Sequence, residues 1–192
     1  RSVLGLDGQE GRPYLDPWQH RCSRALVLHH KVLVPGARSV GKNFWLAAII
    51  IWFLCTRPWC KIIVTAVKHD TLMDNVWAEV SQMLRRAPQV EQYLNVGPGK
   101  IAVKGAELEW WAVPRVAAVR STGNANGEKQ APGIAGKYAP GGVLYIIDEM
   151  SGVPNAVIEG IQASSEGEER YVIGTFNPVT RIGLAADYCL KK

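Results

Sequence analysis

The stretch Val32-Leu33-Val34-Pro35-Gly36-Ala37-Arg38-Ser39-Val40-Gly41-Lys42-Asn43 decides the fold of this 192-residue chain. A short apolar run precedes a loop bounded by two glycines, and a long apolar segment at residues 44–55 follows it. This order predicts a strand, a phosphate-binding loop and a buried helix. The backbone N–H groups and the helix N-terminus would face a phosphate, and Lys42 would reach the β- and γ-phosphates. Taken alone, the pattern also fits a glycine-rich turn before an ordinary buried helix.

Asn43 departs from the pattern of such a loop. A serine or threonine hydroxyl normally holds Mg²⁺ at this position, whereas the asparagine side chain is longer and presents an amide. We expect the ion to be held less well and turnover to be slow. The predicted nucleotide-binding residues of the loop are Gly36, Ala37, Arg38, Ser39, Val40, Gly41, Lys42 and Asn43.

Length and composition indicate one α/β domain over residues 1–192, with 47% hydrophobic and 20% charged residues. The formal net charge of +5 permits an anionic partner such as nucleic acid, but the basic residues form no long run. Four cysteines without a C-x-x-C pair favour reduced thiols and no zinc site. The apolar run at 44–55 is shorter than the roughly 20 residues that cross a bilayer, so no membrane association is expected. The chain starts without methionine and stops after a helix-like segment at 183–190, so we expect a fragment.

The early part of the chain alternates helices and strands. Asp16-Pro17-Trp18-Gln19 is typical of a helix start, with the helix continuing to about His29. Trp18 and Gln19 are candidates for contacting an adenine; the alternative is a packed indole and a capping residue. A strand is predicted at 61–66. A helix capped by Asp70 or Thr71 and ended by Pro88 follows, with its buried residues every four positions: Leu72, Val76, Val80 and Leu84.

Residues 97–119 have a different texture. Short strand-like runs at 101–104, 107–113 and 115–119, separated by Gly105 and Pro114, predict a small antiparallel addition. Trp110 and Trp111 would point to opposite faces of a strand, which favours packing over base stacking. The glycine-rich segment 120–142 is predicted to be a long mobile loop, either functional or simply solvated.

Two later apolar runs end in polar residues. The run at 143–147 predicts a buried parallel strand that delivers Asp148 and Glu149 to the edge of the sheet where ligands bind. There Asp148 can hold the hydration shell of Mg²⁺, and Glu149 can orient the attacking water. The run at 171–176 predicts another buried strand, which places Thr175 and Asn177 beside the γ-phosphate.

In combination these motifs resemble the ATPase domain of the large terminase subunit of tailed bacteriophages. The resemblance covers nearly the whole chain and rests on four stretches in order: Asp16-Pro17-Trp18-Gln19, Ala37-Arg38-Ser39-Val40-Gly41-Lys42, residues 146–154 with Asp148-Glu149, and Gly174-Thr175-Phe176-Asn177-Pro178.

The resemblance implies a P-loop NTPase of the additional-strand type, with a mainly parallel central sheet, helices on both faces and ATP and Mg²⁺ as cofactors. Catalytic roles fall on Glu149, Lys42 and Arg38, with Arg38 contacting the γ-phosphate. Metal binding falls on Asp148 and Asn43, and coupling on Thr175, Phe176, Asn177 and Pro178. The C-terminal nuclease domain of the family is absent from this chain.

The resemblance also implies an activity and its partners. ATP hydrolysis would drive double-stranded viral DNA into a procapsid, with the portal protein and the small terminase subunit as partners. The protein would work as a homo-oligomeric ring in the host cytoplasm, transiently docked on the procapsid, and as an isolated fragment would be monomeric. Arg115, Arg120 and Arg181 are candidates for reaching a neighbouring subunit's site.

Two other classes of function remain open. One is a nucleotide-dependent DNA-binding module with weak or no hydrolysis, which Asn43 favours. The other is a helicase-like or recombinase-like P-loop ATPase with the same core. Phosphate release distinguishes the first from a motor, and duplex unwinding distinguishes the second.

Overall fold

The computed structural model of the protein describes residues 14–37, 39–117, 120–121, 129–130, 137–164 and 169–178. Its strands are Lys31–Pro35 (β1), Lys61–Ala66 (β2), Leu94–Gly97 (β3), Lys100–Val103 (β4), Trp111–Val116 (β5), Arg120–Ser121 (β6), Lys129–Gln130 (β7), Val143–Ile147 (β8) and Arg170–Phe176 (β9). Its helices are Pro17–His29 (α1), Lys42–Thr56 (α2), His69–Thr71 (α3), Ala78–Arg85 (α4), Pro88–Glu91 (α5) and Asn155–Ser164 (α6). A π-helical segment, Leu72–Trp77, joins α3 to α4, and Met150–Gly152 form a 3₁₀ turn.

Seven strands form one sheet in the order β1-β9-β8-β2-β5-β4-β3, while β6 and β7 pair only with each other. The first five strands of that order are parallel, whereas β4 runs antiparallel to both of its neighbours. The predicted mainly parallel α/β fold with a small antiparallel part is therefore confirmed. Strand β9 lies between β1 and β8, which is the inserted strand that the additional-strand class requires.

Helices cover both faces of the sheet because its central strands are buried on both sides. Helices α1, α2 and α4 pack with the π-helical segment over one face, and α6 packs over the other. Helix α2 is apolar around most of its circumference, with nine buried residues, so it lies in the centre of its layer. The predicted positions of α1, β1, α2, β2, β8 and β9 are confirmed.

The helix that follows β2 differs from the prediction at both ends. It begins at His69 with Lys68 at the N-cap, so the prediction that Asp70 or Thr71 caps it was wrong. It ends at Arg85, and Pro88 occupies the first turn of α5. The four residues predicted to be buried are fully buried: Leu72, Val76, Val80 and Leu84. A regular α-helix would rotate a four-residue repeat away from one face, and the wider π turn compensates for that rotation.

The antiparallel addition is smaller than predicted. The two runs predicted on either side of Pro114 are one strand, β5, which pairs in parallel with β2 along its length. Strand β4 pairs only with Trp111 and Ala112, so Pro114 lies past its end and needs no N–H toward it. The antiparallel part therefore consists of β3 and β4, and β3 was not predicted. The prediction for loop 120–142 lies largely outside the described residues.

Trp110 and Trp111 pack on opposite faces of the sheet, as predicted. Trp110 joins the core beside α2 and donates from its indole nitrogen to the Leu54 carbonyl at 3.1 Å, whereas Trp111 packs against the core beside α6. Both indoles are thereby accounted for by packing.

Candidate functional site

Loop 36–41 connects the end of β1 to the start of α2 at the carboxyl edge of the sheet. The Gly36 N–H donates to the Phe176 carbonyl at 3.0 Å, which ties the start of the loop to the end of β9. Gly41 is the N-cap of α2 with φ +81°, a left-handed conformation that glycine adopts without steric cost. Ser39 also has a positive φ of 61°. Arg38, the predicted γ-phosphate contact, lies outside the described residues.

The Lys42 side chain turns back over this loop. Its ammonium donates to the carbonyls of Gly36 and Ala37 at 2.6 and 2.7 Å and to Asn177 Oδ1 at 2.9 Å. A lysine ammonium has three donors, so these partners satisfy it in full. Burial lowers the pKa of Lys42, and the negative charges of Asp148 and Glu149 act in the opposite direction. The ammonium therefore lies where a bound phosphate would compete for its hydrogen bonds.

Asp148 follows β8 and is almost fully buried, with 3% of its surface exposed. Its Oδ1 accepts a hydrogen bond from Thr175 Oγ1 at 2.7 Å and another from the Glu149 N–H at 3.1 Å. Its own N–H donates to the Thr65 carbonyl at 2.8 Å, which extends the pairing of β8 with β2. These contacts fix the direction of the carboxylate at the sheet edge.

Glu149 presents its side chain differently from Asp148. It is exposed and has a φ of 50°, in the left-handed region that non-glycine residues rarely occupy. Such conformations persist where the surrounding structure imposes them, and they concentrate at functional sites. The conformation turns the chain sharply after β8, and Glu149 lines the same cleft as Asp148.

One cleft of about 470 Å³ brings most of the predicted site residues together. Its lining includes Ser39, Gly41, Lys42, Asn43, Asp148, Glu149, Thr175 and Asn177. Gly36 and Ala37 lie beneath it as partners of Lys42, and Val40 is exposed on the loop. Their roles toward a nucleotide remain predictions, but the three stretches that carry them meet at one edge of the sheet.

Trp18 and Gln19 are placed differently. Neither is part of the cleft lining. The Trp18 ring packs 5.9 Å from the Trp45 ring, and the Gln19 side chain, only 2% exposed, donates to the Gly41 carbonyl at 3.0 Å. The geometry fits the packing and capping alternative, and an adenine contact by either residue remains a prediction.

Sequence reasoning missed Phe44, Asn75, Glu79 and Phe176 in the cleft lining. Asn75 lies in the π-helical segment and Glu79 one turn later in α4. The available signal was their four-residue spacing on one helix face, but a regular helix gave no reason to place that face at the sheet edge.

The donor set is compatible with Mg²⁺ in a limited way. The ion prefers oxygen ligands and is usually held by one or two carboxylates together with substrate phosphates and water. Asp148 offers a buried carboxylate and Asn43 an amide oxygen in the same cleft. Within the part of the chain that the structure describes, no three His, Cys, Asp or Glu side chains group to hold a metal. The residues therefore fit an ion held mainly by phosphate, water and Asp148.

The described helices were also compared with the length of a membrane span. None of them is both long and apolar enough to cross a bilayer.

The chain has the fold of phage large terminase ATPase domains, so the predicted resemblance is confirmed at the level of fold. Over 98% of its length it matches 40% of the large terminase of bacteriophage HK97, with a TM-score of 0.65 and 18% identity. Over 97% it matches 70% of the ATPase domain of the Thermus phage P74-26 large terminase, with a TM-score of 0.63 and 14% identity. The large terminase of another thermophilic bacteriophage, in complex with ADP, matches at a TM-score of 0.53 and 13% identity, over 92% of this chain and 37% of that one. No family model and no curated protein sequence matches the chain.

Proposed function

We propose that this chain is the ATPase part of a DNA-packaging motor, in which ATP hydrolysis drives double-stranded viral DNA into a procapsid. One observation carries the proposal: Lys42, Asp148 and Glu149 line a single cleft at the end of a parallel sheet, directly beside loop 36–41. The fold shared with phage terminase ATPase domains supports the same interpretation.

The binding step follows from the contacts of Lys42. The γ-phosphate of ATP accepts hydrogen bonds from the ammonium in place of the Gly36 and Ala37 carbonyls, which hold it at 2.6 and 2.7 Å. The N–H groups at the start of α2 and the dipole of that helix stabilise the phosphate charge. When bound, Mg²⁺ supplies positive charge that neutralises the phosphate oxygens; Asp148 and Asn43 would hold it.

The hydrolytic step is assigned to Glu149. Its carboxylate is exposed in the cleft, and the residue directly follows the buried Asp148 in the chain. It orients the attacking water and accepts its proton as the bond to the γ-phosphorus forms and the bond to the β-γ bridging oxygen breaks. Asp148, anchored by Thr175, remains ionised and fixed.

Strand β9 is assigned the coupling role. Its Thr175 bonds to Asp148, and Asn177, which follows the strand, bonds to Lys42. A single segment thus contacts both sides of the cleft, and replacing one Lys42 partner by a phosphate changes the contacts of that segment. Such exchange of partners is how phosphate-sensing segments report the presence of the γ-phosphate.

The partners and the place of action follow from the shared fold alone. We propose double-stranded DNA, a portal protein, a small terminase subunit and further copies of this chain in a ring, acting in the host cytoplasm on the procapsid. The chain spans about 40% of the length of the HK97 large terminase, so the activity of a whole motor is a proposal here.

A second function is a module that binds ATP and DNA with little hydrolysis. Asn43 favours it, because the residue lines the cleft at the position where a hydroxyl would hold the metal.

Phosphate release by the purified chain, measured with and without double-stranded DNA, tests the proposal. The motor assignment predicts ATP hydrolysis that double-stranded DNA stimulates, without unwinding of a forked duplex. Tight ATP and DNA binding without phosphate release would support the second function instead. Unwinding of the fork would assign the chain to the helicase-like class.

A further inference from the structure

The Gln19 side chain has both ends of its amide engaged by the protein. Its Oε1 accepts from the Asp16 N–H at 2.8 Å, and its Nε2 donates to the Gly41 carbonyl at 3.0 Å. The residue is 2% exposed, although it lies in the first turn of a surface helix. Glutamine is seldom this buried, and a buried amide is expected to be fully hydrogen-bonded. Both of its partners belong to the backbone.

This contact is one of two matched links between α1 and α2. Gln19 bonds to Gly41, and Ser23, one turn further along α1, accepts a hydrogen bond from Trp45 Nε1 at 2.9 Å. Both pairs are separated by 22 residues, so the N-terminal turns of the two helices lie side by side in register. Ser23 Oγ also donates to the Gln19 carbonyl at 2.8 Å, which connects the two links.

Only the Gln19 link touches loop 36–41. The Gly41 carbonyl accepts both Gln19 Nε2 and the first intrahelical hydrogen bond of α2, from the Trp45 N–H at 3.0 Å. The peptide that follows this carbonyl carries the Lys42 N–H, one of the groups that faces a phosphate at a helix N-terminus. At Gly41 a Cβ would lie 3.1 Å from Gln19 Nε2, so the two residues are in close contact. Gln19 therefore fixes the orientation of the last peptide of the loop.

A role in reading the base would need the same atoms. Recognition of a purine edge by glutamine uses one amide donor and one amide acceptor together. In the structure both ends of the amide are engaged and the side chain is shielded from solvent. Base recognition would require Gln19 to leave Gly41, which would release the loop that holds the phosphates.

We propose that Gln19 is a positioning residue that braces loop 36–41 for the phosphate chain of the nucleotide, and that it does not select the base. The inference rests on the proposed nucleotide-binding function of the loop. It assigns to Gln19 an effect on every ligand that carries a polyphosphate, whatever base is attached.

The test measures dissociation constants by isothermal titration calorimetry for three ligands in the presence of Mg²⁺: ATP, GTP and inorganic tripolyphosphate. The Gln19→Met variant removes the amide with little change in length, and Gln19→Asn keeps an amide too short to reach Gly41. We expect both variants to bind all three ligands more weakly by a similar factor, roughly three- to tenfold, because one hydrogen bond that orders the loop is lost.

Ser23→Ala is the matched control, because it breaks the neighbouring link between the same helices without touching the loop. We expect it to lower the melting temperature while leaving the three dissociation constants unchanged. Weaker binding in Ser23→Ala equal to that in Gln19→Met would overturn the inference, since general loosening of the helix pair would then explain both. If Gln19→Met does not fold, Gln19→Asn provides the same comparison.

The other outcomes are also distinguishable. A loss confined to ATP in the Gln19 variants would show that Gln19 reads adenine and would overturn the inference. Unchanged affinities for all three ligands would overturn it while leaving the proposed function standing. If the unmodified chain bound neither ATP nor tripolyphosphate, the proposed function itself would fail, and the inference with it.

Discussion

The Lys42 ammonium donates a hydrogen bond to Asn177 Oδ1 at 2.9 Å, which joins residues 135 positions apart in the sequence. Two residues before Asn177, Thr175 bonds to the carboxylate of Asp148 at 2.7 Å. The end of β9 thus touches both the lysine of loop 36–41 and the carboxylate of β8. This arrangement depends on β9 lying between β1 and β8 in the sheet.

Lys42 is predicted to be essential for nucleotide binding. Lys42→Ala removes the cation nearest the predicted phosphate position, and we expect ATP binding to become undetectable by fluorescence titration. Lys31→Ala is the control, since Lys31 is an exposed lysine at the opposite end of β1. Similar ATP affinity in Lys42→Ala and the unmodified chain would contradict this role.

Asn43 is predicted to limit the use of Mg²⁺. Asn43→Thr restores a hydroxyl that can approach the ion at about 2.1 Å, so we expect a lower Mg²⁺ midpoint for ATP hydrolysis. The rate should rise about tenfold, which corresponds to roughly 1.4 kcal/mol of activation free energy. Titration of Mg²⁺ against phosphate release in both proteins measures this. Equal midpoints and equal rates would show that the amide already serves, or that the metal is held without residue 43.

Thr175 is predicted to stabilise the folded protein through Asp148. Thr175→Val keeps the shape of the side chain but removes the donor to a carboxylate that is 3% exposed, so we expect a loss of about 1–3 kcal/mol in the free energy of unfolding. Urea denaturation provides the measurement. Thr56→Val is the matched control: it removes an exposed hydroxyl bonded to the Trp52 carbonyl and should change stability by less than about 0.5 kcal/mol. Equal losses in the two variants would argue against a special role for the Thr175–Asp148 contact.

Cys60 is predicted to make stability fall at alkaline pH. Burial raises the pKa of its thiol from 9.0 to about 12. Between these values the unfolded chain loses the proton that the folded chain keeps, so the folded state is destabilised as the pH rises. The slope contributed by one such group approaches about 1.4 kcal/mol per pH unit. Urea unfolding from pH 8.5 upward should show a steeper decline for the unmodified chain than for Cys60→Ala, and parallel curves would refute the assignment.

Much of the fold was predictable because the buried parallel strands are continuous apolar runs. The run ending at Ile147 and the run ending at Phe176 each identified a strand and the polar residues that follow it. The meeting of Asp148, Thr175 and Lys42 was predictable in outline, since parallel strands end at one edge of a sheet.

Other features depend on tertiary structure that local patterns do not encode. The π-helical segment keeps Leu72 and Leu84 buried together and places Asn75 in the cleft, but its residues have no distinct local signal. Pro114 was predicted to end a strand, yet it is tolerated within β5 because β4 stops short of it. The position of Gln19 against Gly41 likewise depends on how α1 packs beside α2.

The central claim is that the cleft hydrolyses ATP with Glu149 orienting the water, and single-turnover phosphate release tests it most directly. ATP binding and phosphate release are measured in parallel for the unmodified chain, for Glu149→Gln, and for Glu159→Gln, which changes an exposed glutamate of α6 on the opposite face of the sheet. We predict that Glu149→Gln binds ATP normally and releases phosphate at least about 10²-fold more slowly, while Glu159→Gln matches the unmodified chain. Phosphate release by Glu149→Gln at the rate of the unmodified chain would contradict the account.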